Sequence, residues 1–201
     1  MMKKFKLLIF ILSMLFLYSF TVKDSIVIEQ IASDYPIIVR YNNKGICFRI
    51  HYPVVFRVKN LSGKKYKLFK VNYFYGNSKY SYSLYKEWCP VFVKQERENK
   101  IIDARERGRI IIDSLQTRDF IIQTAHSIPE RDIFQSIIYP YINLKNKTDT
   151  LHLKNIQEIK NKHSNLLDSS LGNDSVMFWI EPLGKHKSGK AYILPIKTKL
   201  P

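Results

Sequence analysis

Short runs in which apolar and polar residues alternate cover the chain from Ile26 to about Thr124. Every second residue is apolar in residues 46–50 and again in residues 54–58. This period of two predicts strands with one face in a core and the other toward solvent. Turn residues at 60–63 and 76–78 separate the runs. The second turn joins residues 68–75 to residues 79–86 in a predicted β-hairpin.

Further strand-like runs occupy residues 91–94, 109–113 and 120–124, and two more, at 176–181 and 191–197, flank a loop from Gly184 to Gly189. Strands at this spacing, without amphipathic helices between them, favour a mainly β fold with antiparallel sheets. We therefore expect an antiparallel β-sandwich, with an immunoglobulin-like arrangement as the first hypothesis. The charged segment 95–107 leaves a helical turn or two open as an alternative.

One helix is predicted near the C-terminus, from about residue 155 to 171. Asn155 and Glu158 fit a capping box, and Gly172 is placed to end the helix. Its apolar stripe, which also contains one histidine, consists of Ile156, Ile159, His163, Leu166, Leu167 and Leu171. Such a stripe predicts that the helix covers a sheet face or closes one end of the sandwich.

The N-terminus has the pattern of a secretory signal. Lysines 3, 4 and 6 precede an apolar run over residues 7–20, which is short for a membrane span. We expect residues 1–21 to be a signal peptide that is removed, which leaves residues 22–201 as a single domain in the periplasm or at the cell surface. The alternative is an uncleaved signal, with residues 7–22 anchoring the protein in the inner membrane.

The chain has two cysteines, Cys47 and Cys89. Export to an oxidising compartment permits a disulfide between them. Such a disulfide would close a loop of about 43 residues, worth roughly 4 kcal/mol in the chain-entropy model. Two separate thiols packed as small apolar side chains are the other interpretation.

Positive charge is concentrated in the first β-rich half of the chain. The whole chain has a net charge of +16, and residues 57–86 contain eight cations and no acid, interleaved with aromatic residues. Lysine neutralises anionic groups, and aromatic faces stack on rings, so this pattern is typical of a surface that binds polyanions or sugars. The residues predicted to form it are Lys65, Lys67, Lys70, Tyr73, Tyr75, Tyr80 and Tyr82. Alternatively, these tyrosines form cross-strand core pairs while the lysines face outward.

No motif identifies a catalytic residue, a metal site or a cofactor. Residues 184–190 match the first part of a phosphate-binding loop, but Ala191 replaces the hydroxyl residue that binds magnesium, and the following residues indicate a strand rather than a helix. The five histidines lack zinc-site spacing, both to one another and to the cysteines. The acidic pairs Glu96/Glu98 and Glu130/Asp132 lie among cations in turn-like sequence, which indicates solvated charge.

These features predict an exported, non-catalytic binding or interaction protein of the bacterial envelope. Its expected partner is an envelope protein, an anionic polysaccharide or a lipid surface, and nucleic acid is not expected as a partner in the cell. Two alternatives stay open. One is a membrane-tethered structural subunit of an envelope assembly. The other is a hydrolase of envelope polymers, which would need two carboxylates, or a His and an Asp, in one concave pocket.

Overall fold

The fold is mainly β. The structure, a computed structural model, describes residues 25–76, 81–83, 91–95, 100–103, 110–128, 133–142, 149–155, 171–184 and 188–198. About 60% of these residues lie in strands and 8% in helical turns, which confirms the predicted fold class of antiparallel sheets. The immunoglobulin-like arrangement is consistent with these sheets and stays a prediction. Residues 1–21, predicted as a signal peptide, and residues 156–170 of the predicted helix lie outside the described residues.

The strands form three antiparallel sheets. In chain order they are β1 (Ile26–Ile31), β2 (Pro36–Tyr41), β3 (Cys47–His51), β4 (Pro53–Asn60), β5 (Tyr66–Phe74), β6 (Ser81–Ser83), β7 (Val91–Gln95), β8 (Lys100–Asp103), β9 (Ile110–Ile112), β10 (Thr117–Gln123), β11 (His126–Ser127), β12 (Thr150–Asn155), β13 (Ser175–Pro182) and β14 (Lys190–Pro195). Sheet A has the order β1-β4-β10-β7-β8, and sheet B the order β11-β3-β2-β12. Sheet C has the order β14-β13-β5-β6, with β9 also paired to β5.

Sheets A and C pack face to face through aromatic rings. The ring of Phe178 on β13 lies 5.4 Å from that of Phe56 on β4 and 6.0 Å from that of Phe120 on β10. All three rings are fully buried, and the same core continues into sheet B through Ile37 and Val39. Edge-to-face contacts of this kind stabilise a core beyond the area that they bury.

The predicted hairpin is present as β5 and β6. These strands are antiparallel, with Tyr73 opposite Tyr82, and β5 is followed by Gly76 in a left-handed conformation with φ of 52°. Glycine adopts this conformation without the steric cost that a side chain brings, which explains its place in the turn. Residues 77–80 of the turn lie outside the described residues.

Two β-bulges change the predicted alternation. In β5, Lys70 lies opposite Trp179 and Leu68 opposite Ile180, so Phe69 is an extra residue. In β3 the register against β2 shifts in the same way and makes Phe48 the extra residue. Both phenylalanines are turned outward, with exposed fractions of 50% and 43%. Strict alternation predicts both of them on an apolar face, and this prediction is wrong because a bulge reverses the phase of the strand.

A short helix, α1 (Ile133–Ile138), is absent from the sequence-based expectations. Its Phe134 and Ile138 are buried in the core, and a 3-10 turn, Tyr139–Tyr141, follows it. The side-chain amide of Gln135 binds the backbone of Cys47 twice, since its Nε2 donates to the Cys47 carbonyl at 2.6 Å and its Oε1 accepts from the Cys47 N–H at 2.9 Å. This pairing attaches α1 to β3 as a neighbouring strand would.

The two ends of the described chain meet beside sheet A. The Gln30 amide donates to the Lys197 carbonyl at 2.9 Å and accepts from the Lys197 N–H at 2.7 Å. This pairing joins the edge strand β1 to the segment that follows β14. No helix among the described residues has both the length and the apolar character needed to cross a membrane.

Candidate functional site

The lysines of the predicted binding surface lie on the outer face of sheet C, the face turned away from sheet A. Lys67 and Lys70 are opposite Glu181 and Trp179, while the inward positions between them are buried. The Lys67 ammonium lies 4.9 Å from the centre of the Phe69 ring. Lys65 is exposed, and its ammonium lies 2.8 Å from a carboxylate oxygen of Asp113. The structure therefore places Lys67 and Lys70 on the same face as Phe69, the residue that the bulge turns outward, while Lys65 precedes the strand and pairs with Asp113.

The predicted tyrosines do not share this outer face as a set. Tyr73 is fully buried on the inner side, so its ring lies in the core, as the alternative interpretation of the sequence states for it. Tyr75 is half-buried, and its ring lies 4.7 Å from that of Tyr73. Tyr80 and the side chain of Tyr82 lie outside the described residues. The aromatic residue beside the lysines is thus Phe69 rather than Tyr73.

Trp179 also lies on the outer face of sheet C, and the chain after β13 covers part of its indole. A Cβ atom at Gly189 would lie 2.2 Å from Trp179 Nε1, so only glycine fits at this distance. The same Nε1 donates a hydrogen bond to Glu181 at 3.0 Å. Gly189 belongs to the loop whose sequence partly matches a phosphate-binding loop. As the sequence predicts, this loop leads into a strand, β14.

Below this surface lies a buried polar group that the sequence does not indicate. We call it the Asp174 cluster, and it consists of Asp174, Tyr73, Tyr75, Gly76 and His126. Asp174 Oδ2 accepts a hydrogen bond from the Tyr73 hydroxyl at 2.5 Å, and its Oδ1 accepts from the Gly76 N–H at 2.6 Å. Asp174 is only 4% exposed and therefore depends on these donors, because a buried carboxylate without partners is very costly. The cluster fastens the β5–β6 turn to the start of β13.

His126, on β11, completes the Asp174 cluster. Its Nε2 lies 3.4 Å from Asp174 Oδ2, and this nitrogen is buried without a hydrogen-bond partner among the described residues. The imidazole lies edge-to-face with the rings of Tyr75 at 5.1 Å and Tyr52 at 5.6 Å. Burial lowers the pKa of His126 from its ordinary value of 6.5, although the Asp174 carboxylate opposes this shift.

His51, on β3, is a second histidine with a shifted pKa. Burial is the main reason that the pKa of His51 lies below its ordinary value. The backbone of Thr124 opposes the shift by hydrogen bonding, while the charges of Arg49 and Arg40 add to it. His126 also lowers the pKa of His51, which indicates that the two imidazoles feel each other's charge.

The chemistry of the Asp174 cluster suits a structural role, in which it joins separate segments of the chain. A hydrolase that uses a His and an Asp needs both to face a cavity open to the substrate. Here the side chains of His126 and Asp174 are 13% and 4% exposed, and the Tyr73 hydroxyl occupies the carboxylate oxygen nearest the imidazole. No group of three metal-ligating side chains occurs among the described residues.

A second buried polar residue, Asn60, joins two loops, 61–65 and 113–116, at one end of the molecule. Its Nδ2 donates to the carbonyls of Lys64 and Asp113, both at 2.7 Å. Its Oδ1 accepts from the N–H and the hydroxyl of Ser62, at 3.0 and 2.9 Å. We call Asn60, Ser62, Lys64 and Asp113 the Asn60 cluster. All four hydrogen-bonding positions of the amide are occupied. The sequence predicts the turn at Asn60 but not these partners.

Cys47, at the start of β3, is buried and forms no disulfide with any described residue. Burial raises the pKa of its thiol to about 11, so Cys47 in its reduced form stays protonated at neutral pH and is a poor nucleophile. Cys89 lies outside the described residues, so the disulfide between Cys47 and Cys89 stays a prediction.

No protein-family model matches the chain, and no curated protein is similar to it. The function has to be inferred from the geometry of the described residues.

Proposed function

We propose that the protein is an exported, non-catalytic binding protein of the bacterial envelope, and that the outer face of sheet C is its binding surface. The observation that carries the proposal is that Lys67 and Lys70 share the outer face of β5 with the exposed Phe69, that the Lys67 ammonium lies over its ring, and that Lys65 precedes the strand. Export is supported by the signal-like pattern of residues 1–21. The inner side of the same strand supplies the core, so the outer side can serve a partner without loss of the fold.

The charge of this face favours an anionic partner. Lys70 and the neighbouring exposed Lys64 have no ion-pair partner among the described residues, and Lys65 shares the carboxylate of Asp113. Anionic polysaccharide, anionic lipid or an acidic envelope protein each supplies the complementary charge.

The aromatic rings of this face are less suited to stacking on sugars. The Lys67 ammonium lies over the Phe69 ring, and the indole of Trp179 is in contact with Gly189. We therefore propose that cations, rather than stacked rings, supply most of the binding energy. Binding of this kind weakens as salt is added.

The test compares two double variants of equal charge change in the purified protein. Lys67→Glu/Lys70→Glu alters the proposed face, and Lys44→Glu/Lys94→Glu alters exposed lysines on sheets B and A. Binding to dextran sulfate is measured at about 150 mM salt, where the screening length is about 8 Å. We expect the first variant to bind at least about tenfold more weakly to this probe, a loss of about 1.4 kcal/mol. Equal weakening in both variants would show that only net charge matters and would remove the surface assignment.

The membrane-tethered structural subunit is the second candidate, and one observation favours it. The described chain begins at Ser25, whose carbonyl accepts a hydrogen bond from the Leu61 N–H at 2.7 Å. Ser25 thus lies beside a loop of the folded part, and the apolar segment 7–22 precedes it in the sequence. Carbonate extraction of membranes tests this candidate, because a tethered protein stays in the membrane pellet and a bound peripheral protein is released.

A further inference from the structure

Three loops with exposed leucines meet at one end of the molecule. Strand pairing places the start of β1 beside the end of β4, the end of β9 beside the start of β5, and the end of β13 beside that same start. The loops at this end span residues 61–65, 113–116 and 182–184. We call these three loops the leucine end, after Leu61, Leu115 and Leu183.

Hydrogen bonds between loops hold the leucine end together. The Leu115 N–H donates to the Ser62 carbonyl at 3.2 Å, and the Leu183 N–H donates to the Lys65 carbonyl at 2.8 Å. The Asn60 cluster adds two further links to the loops that carry Leu61 and Leu115. The leucines are thus presented on backbone that is fixed by several partners.

The exposed leucines do not favour the stability of the folded protein in water. Their exposed fractions are 48% for Leu61, 76% for Leu115 and 46% for Leu183, so each leaves apolar surface in water. Leu115 also has a φ of 57°, a left-handed conformation that is unfavourable for a leucine. A residue that is both strained and exposed does not stabilise the core, and strain of this kind is concentrated at functional positions.

The surroundings indicate a lipid surface as the partner. The exposed Lys64 and Lys65 lie in the same loop as Leu61. Lys65 pairs with Asp113 of the neighbouring loop, and Lys64 has no ion-pair partner among the described residues, so the apolar tips are accompanied by a net positive charge. This combination suits a bilayer with anionic head groups, where leucines enter the interface and lysines stay among the phosphates. Ser25, the first described residue, is also at this end, because its carbonyl accepts a hydrogen bond from the Leu61 N–H.

We infer that the leucine end docks the folded part of the protein on an anionic phospholipid bilayer. This contact shares Lys65 with the proposed binding face of sheet C but does not involve Lys67, Phe69 or Lys70. It holds whether residues 1–21 are removed or retained, because the leucine end itself makes the contact.

The test is amide hydrogen exchange on the full chain, as purified from membranes or from solution, with lipid nanodiscs. Exchange is compared between phosphatidylglycerol and phosphatidylcholine discs. We expect the amides of Leu61, Leu115 and Leu183 to exchange at least about threefold more slowly with phosphatidylglycerol. Residues 42–44, an exposed part of the turn between β2 and β3, serve as the internal control and should not change.

Two variants separate docking from general hydrophobicity. Leu61→Ser/Leu115→Asn/Leu183→Ser removes the leucines, and Asn at 115 tolerates the left-handed backbone. Phe48→Ser/Ile193→Ser removes exposed apolar residues elsewhere and is the matched control. Slower exchange should disappear in the first variant and persist in the second.

Absence of slowing in the unaltered chain, or slowing that survives in the leucine variant, would overturn the inference. Equal slowing with phosphatidylcholine would overturn the assignment to an anionic surface. The Lys67→Glu/Lys70→Glu variant should keep the slowing. If that variant loses dextran sulfate binding but still docks on the bilayer, the two surfaces act independently. Either proposal can then be disproved without the other.

Discussion

The Asn60 and Asp174 clusters do similar structural work with different chemistry. Each is built on a buried polar side chain that joins separate segments of the chain, and each lies beside a proposed surface. Asn60 is a neutral amide with four hydrogen bonds, and it holds the leucine end. Asp174 is a carboxylate with two donors and an adjacent imidazole, and it holds the turn after β5.

The Asn60 and Asp174 clusters should therefore respond differently to pH. An amide does not titrate between pH 5 and 8, so the Asn60 cluster has the same hydrogen bonds throughout that range. The Asp174 cluster contains His126, whose pKa is lowered by burial. The turn near the binding face is therefore the acid-sensitive part, and the leucine end is the constant one.

The largest expected effect comes from Asp174→Ala. It leaves the Tyr73 hydroxyl and the Gly76 N–H without their acceptor in a buried place. We expect a loss of about 3–5 kcal/mol in the free energy of unfolding, measured by urea denaturation. Asp174→Asn keeps one acceptor oxygen and should lose less. A loss below about 1 kcal/mol for the alanine variant would contradict the role given to this carboxylate.

Asn60→Ala should be the next most damaging change, with a loss of about 2–4 kcal/mol, because it removes four hydrogen bonds at a buried position. Urea denaturation at pH 7.5 and at pH 5.5 should give the same loss in the free energy of unfolding for this variant. A loss that depends on pH would show that the Asn60 cluster is coupled to a titrating group.

Acid should destabilise the unaltered protein through His126 and His51. Both have pKa values below the ordinary 6.5, so below that pH the unfolded chain binds more protons than the folded one. This contribution to stability is present above pH 6.5 and is lost as the pH falls toward the pKa values of the folded state. His126→Phe keeps an aromatic ring and removes one titrating group, so unfolding measured from pH 7.5 to 5 should depend less steeply on pH. An unchanged slope would assign the effect to other groups.

Leu115→Asn should give the smallest effect, and in the opposite direction. Asn tolerates the left-handed backbone at this position, so we expect a gain of about 0.5–1 kcal/mol in the free energy of unfolding. Leu61→Asn is the matched control, since Leu61 is exposed but has an ordinary φ, and it should gain nothing. A gain in stability accompanied by weaker docking on phosphatidylglycerol discs would show that the strain serves the membrane contact.

Much of the strand pattern could be predicted from the sequence because period-two alternation is a local signal. The pairing of β5 with β6 and of β13 with β14 follows from apolar runs on either side of turn residues. Prediction fails at Phe48 and Phe69, where a bulge inserts one residue and reverses the alternation. A bulge depends on the partner strand, so the local sequence does not reveal it.

The lysines of the candidate site could be predicted, and the residues around them could not. Lys67 and Lys70 face outward as the charge pattern indicates, whereas Tyr73 faces the core. The aromatic residue that lies beside these lysines is Phe69. The contact between His126 and Asp174 joins positions far apart in the chain that only the folded sheets bring together. Helix α1 is missed because six residues are too few to show a helical period.

The two hydrogen bonds between Gln30 and Lys197 affect how the chain reaches its native state. These residues are 167 positions apart, so β1 acquires this contact only after nearly the whole chain has been synthesised. Contacts over such distances slow folding, because a long loop must close before they form. Until the segment after β14 lies beside it, the outer edge of β1 is uncovered and can pair with another chain. The last residues therefore act as a late safeguard against misassembly, and truncation before Lys197 should first appear as aggregation during refolding.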